Sequence, residues 1–161
     1  MKKWFDSNYH YLVPEFTEKT EFKLNNTKPL DDFEEAKAAG YNARPVLLGP
    51  LTFLWLGKAG KGASAGFDQM SLLPKLIPVY ADLIAKLGKA GAEYVQIDEP
   101  ILVMDKGADY AAQFKQAYEE FNKAAPNVKL ILTTYFGRLE SNINFVKDLP
   151  IAGLHIDLDR V

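Results

Sequence analysis

The chain has no cysteine, which rules out a disulfide framework and any thiolate metal site made from its own residues. Imidazole is almost as scarce. His10 and His155 are the only two histidines, and neither has a second histidine three or four residues away to make a metal-ligand spacing. Neither sign of charge dominates: 19 basic and 21 acidic residues leave a net charge of −2, which argues against the basic field of a nucleic-acid binder. No apolar run is long enough to span a bilayer. The greasiest stretch, residues 46–56, is short and contains Gly49 and Pro50. Met1-Lys2-Lys3 runs straight into Trp4-Phe5-Asp6, with no apolar core of a secretory signal. The expectation is a cytoplasmic protein with no nucleic-acid or membrane partner.

What is present suits a single globular domain. The 161 residues are 48% hydrophobic and 25% charged, enough for one modest core. Strand and helix signals alternate along the chain. Residues 4–11 are aromatic and strand-like, although Asp6 and Asn8 interrupt them, and residues 19–29 read as a polar connection. Residues 31–39 form a short helix that Asp31 can cap and Gly40 can end. Residues 45–48 are a buried strand closed by Gly49-Pro50, residues 52–57 a helical turn, and residues 58–66 a glycine-rich surface loop without the ending of a phosphate-binding loop. The clearest helix spans residues 71–87, where Leu73, Leu76, Ile77, Tyr80, Leu83, Ile84 and Leu87 recur at steps of three and four. Ser71 is its expected N-cap and Gly88 its stop, with Pro78 a kink or a restart. Strands at 94–97, 128–134 and 151–158 alternate with helices at 109–124 and 137–148.

Apolar strands alternating with amphipathic helices imply an α/β fold with a parallel sheet covered by helices. About five strands are too few to close an eight-stranded barrel, and the sequence stops directly after a strand. The expectation is one incomplete (β/α)8 barrel domain over residues 1–161, with unpaired sheet edges open to self-association. Within it, Ile97-Asp98-Glu99-Pro100 places two acids at the end of a buried strand, the end where such barrels do chemistry.

Five blocks, taken together, carry a resemblance. They are Lys3-Trp4-Phe5-Asp6-Ser7-Asn8-Tyr9-His10-Tyr11 with Val13-Pro14-Glu15-Phe16; Arg44-Pro45-Val46-Leu47-Leu48-Gly49-Pro50 with Trp55-Leu56-Gly57-Lys58; Val95-Gln96-Ile97-Asp98-Glu99-Pro100; Leu132-Thr133-Thr134-Tyr135-Phe136; and Gly153-Leu154-His155-Ile156-Asp157. In this order they resemble the amino-terminal half of cobalamin-independent methionine synthase. The resemblance implies two related (βα)8 barrels with the active site between them. It also implies transfer of a methyl group from 5-methyltetrahydrofolate polyglutamate to homocysteine. The family's zinc, held by a histidine, two cysteines and a glutamate, belongs to the carboxy-terminal catalytic barrel. That barrel is then an expected partner, this segment is expected to bind no cofactor, and it is expected to be inactive alone.

The resemblance gives Lys3 the role of contacting the folate polyglutamate tail, and a compact ammonium with three donors suits a flexible polycarboxylate; otherwise Lys3 is a solvated lysine. Two readings stand for Asp98 and Glu99. They line a substrate site, or they are structural, capping a helix or loop or pairing with Arg44. As neighbours on a strand they leave on opposite sides and cannot form a dyad. His10 and His155 read as hydrogen-bonded histidines. Thr133 and Tyr135 occupy the places where the duplicated barrel would offer zinc ligands, and neither is a good one. Trp4, Phe5, Tyr9, Tyr11, Phe53 and Trp55 either stack on a pterin or fill the core, and core filling is the commoner use. A competing reading keeps catalysis within the chain as a barrel-type glycoside hydrolase. It needs Glu99 and Asp157 to face each other roughly 5 to 10 Å apart across an open cleft. A third reading is a non-catalytic assembly module.

Overall fold

In the computed structural model, which describes residues 1–159, the short apolar segments become a parallel sheet and the longer amphipathic ones its helical cover. A hairpin opens the chain: β1 (Lys2–Lys3) pairs antiparallel with β2 (His10–Tyr11), Lys3 opposite His10. Then come β3 (Glu15–Phe16), α1 (Lys28–Ala38), β4 (Val46–Leu48), α2 (Pro50–Leu56) and β5 (Lys58–Ala59). A 3-10 turn at Gln69–Leu72 runs into α3 (Leu73–Ala90), followed by β6 (Tyr94–Asp98). Two more 3-10 turns, Pro100–Val103 and Gly107–Tyr110, lead to α4 (Ala111–Ala124) and β7 (Lys129–Thr133). A 3-10 turn at Glu140–Asn142, α5 (Ile143–Val146) and β8 (Gly153–His155) complete it.

β4, β6, β7 and β8 lie side by side in chain order, all parallel. Their register brings Leu48, Asp98, Thr133 and His155 into one row at the carboxyl ends. The strand period of two then sorts the faces. Leu47, Val95, Ile97, Leu130 and Leu132 are buried in one core with Ile84 and Leu87 of α3 and Phe114, Tyr118 and Phe121 of α4. The opposite face is open: Val46 is exposed, and Gln96, Ile131 and Gly153 are half-buried. No helix among the described residues is long and apolar enough to cross a membrane.

The helix and strand pattern holds along the chain, with shifts that have physical causes. Residues 4–11 do not join the sheet. Asp6, Ser7 and Asn8 turn the chain, with Trp4 N–H donating to Tyr9 O at 2.7 Å, so the main sheet has four strands. α1 starts before Asp31 because Pro29 sits in its first turn, and it ends as expected at Gly40, whose φ of +86° lets Tyr41 N–H reach Ala36 O. α3 runs unbroken through Pro78, its lost bond outweighed by the buried leucine and isoleucine face. Ser71 does not cap it: Asp68, which accepts from Met70 N–H, caps the preceding 3-10 turn, and α3 continues from that turn at Leu72 with no side-chain cap of its own. α3 also passes Gly88 and stops at Gly91, φ +103°. Gly88 has a different job, since a Cβ there would lie 2.6 Å from Val128 Cγ2. The expected helix at 137–148 shrinks to a 3-10 turn and α5, and the glycine-rich loop begins with two residues paired to β3.

Candidate functional site

The segments that follow β4, β6 and β7 gather at one end of the sheet, and the β1–β2 hairpin lies across them. Tyr11 Oη donates to Leu56 O at 2.9 Å, fastening β2 to the end of α2. Phe5, in the hairpin turn, stacks on Trp55 at 5.9 Å between ring centres and 14° between planes, and meets Phe136 at 5.7 Å. Beside these rings is a cavity of ≈ 500 Å³. Lys2, Lys3, Asp6, Tyr11, Val103 and Met104 complete its walls. A larger hollow of ≈ 660 Å³ lies near α1 and the start of β4, at the other end of the strands. It is the hairpin cavity that occupies the end where strand-end loops carry function.

The hairpin also approaches the sheet through polar groups. The Trp4 indole lies near the Tyr135 hydroxyl, and Tyr135 near the Asp98 carboxylate, close enough for each to influence the other's charge. Gln96 Nε2 donates to Asp98 Oδ1 at 2.7 Å. Burial lifts the Asp98 carboxyl above its ordinary value, opposed by the bond from Gln96 and by the nearby His155, Tyr135 and Arg44. Burial also pushes the Tyr135 phenol up to about 12, with Asp98 adding to the rise. Tyr135 therefore stays a neutral donor at physiological pH.

Glu99 goes elsewhere. It is wholly buried beyond the end of β6. Leu51 N–H donates to its Oε1 at 3.2 Å, and Thr52 N–H and Oγ1 donate to its Oε2 at 2.8 and 2.6 Å. The carboxylate caps the first turn of α2 from a distant part of the chain. Gly49 makes room for it, since a Cβ there would lie 2.0 Å from Glu99 Cδ. Burial pushes the Glu99 carboxyl up to about 7, against the three donors that favour the ionised form.

These positions settle several sequence readings. Lys3 lines the cavity, and so does Lys2, which the sequence reading passed over. The capping role holds for Glu99, with α2 rather than Arg44 as its partner; the influence of Arg44 falls on Asp98. The glycoside hydrolase pair fails. Glu99 faces no cleft, and Asp157 is occupied by backbone, its Oδ2 accepting from Phe136 N–H at 2.9 Å. His155 Nδ1 is 3.1 Å from Thr134 O, a hydrogen-bonded histidine as expected, whereas His10 is exposed on the hairpin. Thr133 is buried at the end of β7. Phe53 packs against Phe16 and Phe22, but Tyr9 is 79% exposed and is not core. Phe5, Tyr11 and Trp55 are cavity walls. Phe136 stood in sequence only as the last residue of the Leu132–Phe136 block, with no site role, and Met104 was not singled out; no periodic signal marks either.

The zinc implied by the resemblance does not fit these residues. Cysteine is absent, and among the described residues no three His, Cys, Asp or Glu side chains cluster closely enough to hold a metal ion.

The structure is thus an α/β domain whose strand ends carry an aromatic-walled cavity bordered by two lysines and Asp6. Comparison with known proteins makes this particular. The family model described as cobalamin-independent synthase, N-terminal domain, matches residues 1–161, and the chain belongs to that family. A probable 5-methyltetrahydropteroyltriglutamate–homocysteine methyltransferase of Schizosaccharomyces pombe is 58% identical over 160 residues, covering 99% of this chain and 20% of that protein. The enzymes of that name from Rhodopseudomonas palustris and Saccharomyces cerevisiae are 52% and 50% identical over 160 residues, 99% of this chain in each case. The chain spans about a fifth of the length of these curated relatives.

Proposed function

We propose that this chain works as part of a cytoplasmic methionine synthase, which moves the methyl group of 5-methyltetrahydropteroyltriglutamate to homocysteine, and that its share of the task is to hold the triglutamate tail at the hairpin cavity. The observation that carries this reading is the placement of Lys2 and Lys3 on one cavity at the carboxyl ends of the strands. A triglutamate tail is a string of carboxylates. As neighbours on β1 the two side chains leave on opposite sides, so their ammonium groups can meet different carboxylates of a flexible chain from two directions. The relatives' names supply the donor and acceptor.

The four strands are, on this reading, consecutive strands of a (β/α)8 barrel. Their parallel pairing in chain order supports it, as does the half-open face bearing Val46, Gln96 and Ile131, which the remaining strands of a barrel would cover. The sulfur-activating zinc of the family belongs to the catalytic barrel, and the residues here supply no part of its donor set. Their work is binding and orientation: Lys3 and Lys2 neutralise tail carboxylates, and the Tyr11–Leu56 bond with the Phe5–Trp55 stack holds the hairpin that carries them.

Calorimetric titration tests the proposal. The chain is expected to bind the triglutamate form of the folate more tightly than the monoglutamate, and Lys3→Ala should remove most of that preference. Equal affinity for the two forms would refute it. Mixing the chain with the remaining segments of a relative should restore methyl transfer, and full activity with Lys3→Ala would refute the role given to that residue.

A further inference from the structure

Three observations on the hairpin cavity go beyond its lysines. The first is strain. Phe5 and Phe136 have φ of 51° and 75°, left-handed values that bulky L-residues rarely adopt. Each is a strained conformation that the surrounding structure must hold in place. A chain needing only a left-handed turn would use glycine there. The second is convergence. These two residues come from segments far apart in sequence, yet their rings meet each other, and Phe5 continues the surface onto Trp55. The third is placement. The three rings wall a cavity, Trp55 also packing against the main core, and the same cavity carries Lys2 and Lys3. The acid on its rim, Asp6, is itself engaged by a neighbouring group.

We propose that Phe5, Trp55 and Phe136 form a subsite for an aryl ring whose attached carboxylates run out to Lys2 and Lys3. The proposal rests on the tail-binding reading and deepens it. The pteroyl group in the name of the relatives' donor contains a p-aminobenzoyl ring joined by an amide to the first glutamate. A ring with a carboxylate chain on one side matches a wall of π-faces with cations at one edge. Stacking of a flat ring on aromatic side chains is favourable, as it is for nucleobases, and the ring should add about tenfold to affinity, about 1.4 kcal/mol. The strained backbone aims both phenyl groups at the same wall before the ligand arrives, which lowers the ordering cost of binding.

The test compares a triglutamate peptide with p-aminobenzoyl-triglutamate, titrated into the chain and followed by calorimetry and by NMR shifts of the phenylalanine ring protons. The ring-bearing ligand should bind about tenfold more tightly and move the Phe5 and Phe136 signals. Trp55→Leu and Phe136→Leu should erase that increment and cost the bare peptide far less than the ring-bearing ligand, and Trp55→Phe should keep most of the increment. Circular dichroism identifies any variant that fails to fold. Equal affinity of wild type for the two ligands, or equal loss for both in Trp55→Leu, overturns the aryl subsite and leaves the tail reading standing. Failure of both ligands to bind overturns both.

Discussion

The cap that Glu99 places on α2 predicts an unusual pH response. Its carboxyl rises from 4.5 to about 7 through burial, even with three donors on its oxygens. Between those pH values the folded chain keeps the proton and the unfolded chain has lost it. The contribution of this group to stability therefore falls as pH climbs from about 4.5 to about 7 and is level above that. At about 1.4 kcal/mol per pH unit, the span is worth roughly 3 kcal/mol. Glu99→Gln has no proton to lose there. Urea unfolding of both proteins from pH 4.5 to 8 should show the wild type losing about 3 kcal/mol relative to the variant, a comparison that cancels the other titrating groups. An unchanged or growing wild-type advantage at high pH would refute the reasoning, because it would mean that the α2 donors outweigh burial and the carboxylate is ionised throughout. A second perturbation checks the geometry. Gly49→Ala puts a Cβ 2.0 Å from Glu99 Cδ and must displace the carboxylate, costing about 2–4 kcal/mol. In Gly49→Ala/Glu99→Ala the clash is gone, so the two costs should fall well short of adding.

The remaining predictions follow from packing and from the open sheet. Gly88→Ala should destabilise the chain by about 1–2 kcal/mol despite alanine's better helix propensity, because its Cβ meets Val128 Cγ2 at 2.6 Å; Val128→Ala should relieve it in thermal melts. Tyr118→Phe should be neutral or stabilising by up to about 1 kcal/mol in denaturant titrations, since Tyr118 Oη is fully buried with no hydrogen-bond partner among the described residues. The chain should self-associate with rising concentration in sedimentation velocity, through the edges of β4 and β8 and the open face. Val46→Lys, which charges a 53% exposed position on that face, should shift it towards monomer.

How much of this was legible in the sequence depends on the range of the interaction. α3 and α4 could be read from their own periodicity, because a helix buries one stripe and shows it every three or four residues. The boundaries that moved were fixed by partners elsewhere. Gly88 looked like a stop and is instead a contact surface for Val128, which lies 40 positions further on. Residues 4–11 looked like a strand by composition, but three polar turn residues outweighed the aromatic content and made a hairpin. That change brought Lys2 and Lys3 over the strand ends, so the candidate site follows from the element that sequence placed least well.

The paired acids make the same point at the level of single residues. Their adjacency on a strand dictates that they part, and they do: Asp98 joins Gln96, and Glu99 joins Leu51 and Thr52. Sequence alone offered Glu99 as a catalytic acid, because an acid before a proline at a strand end is also what a glycosidase displays. Only the long-range bonds to α2 decide against it. A carboxylate enclosed by a helix terminus, with a glycine cleared to admit it, has no reach to a substrate. Asp98, by contrast, stays half-buried in the row at the carboxyl ends of the strands, accepting from Gln96. The two acids of one motif thus part in function as they part in direction: Glu99 fixes α2, which ends in Trp55-Leu56 on the cavity, and Asp98 remains at the open strand ends.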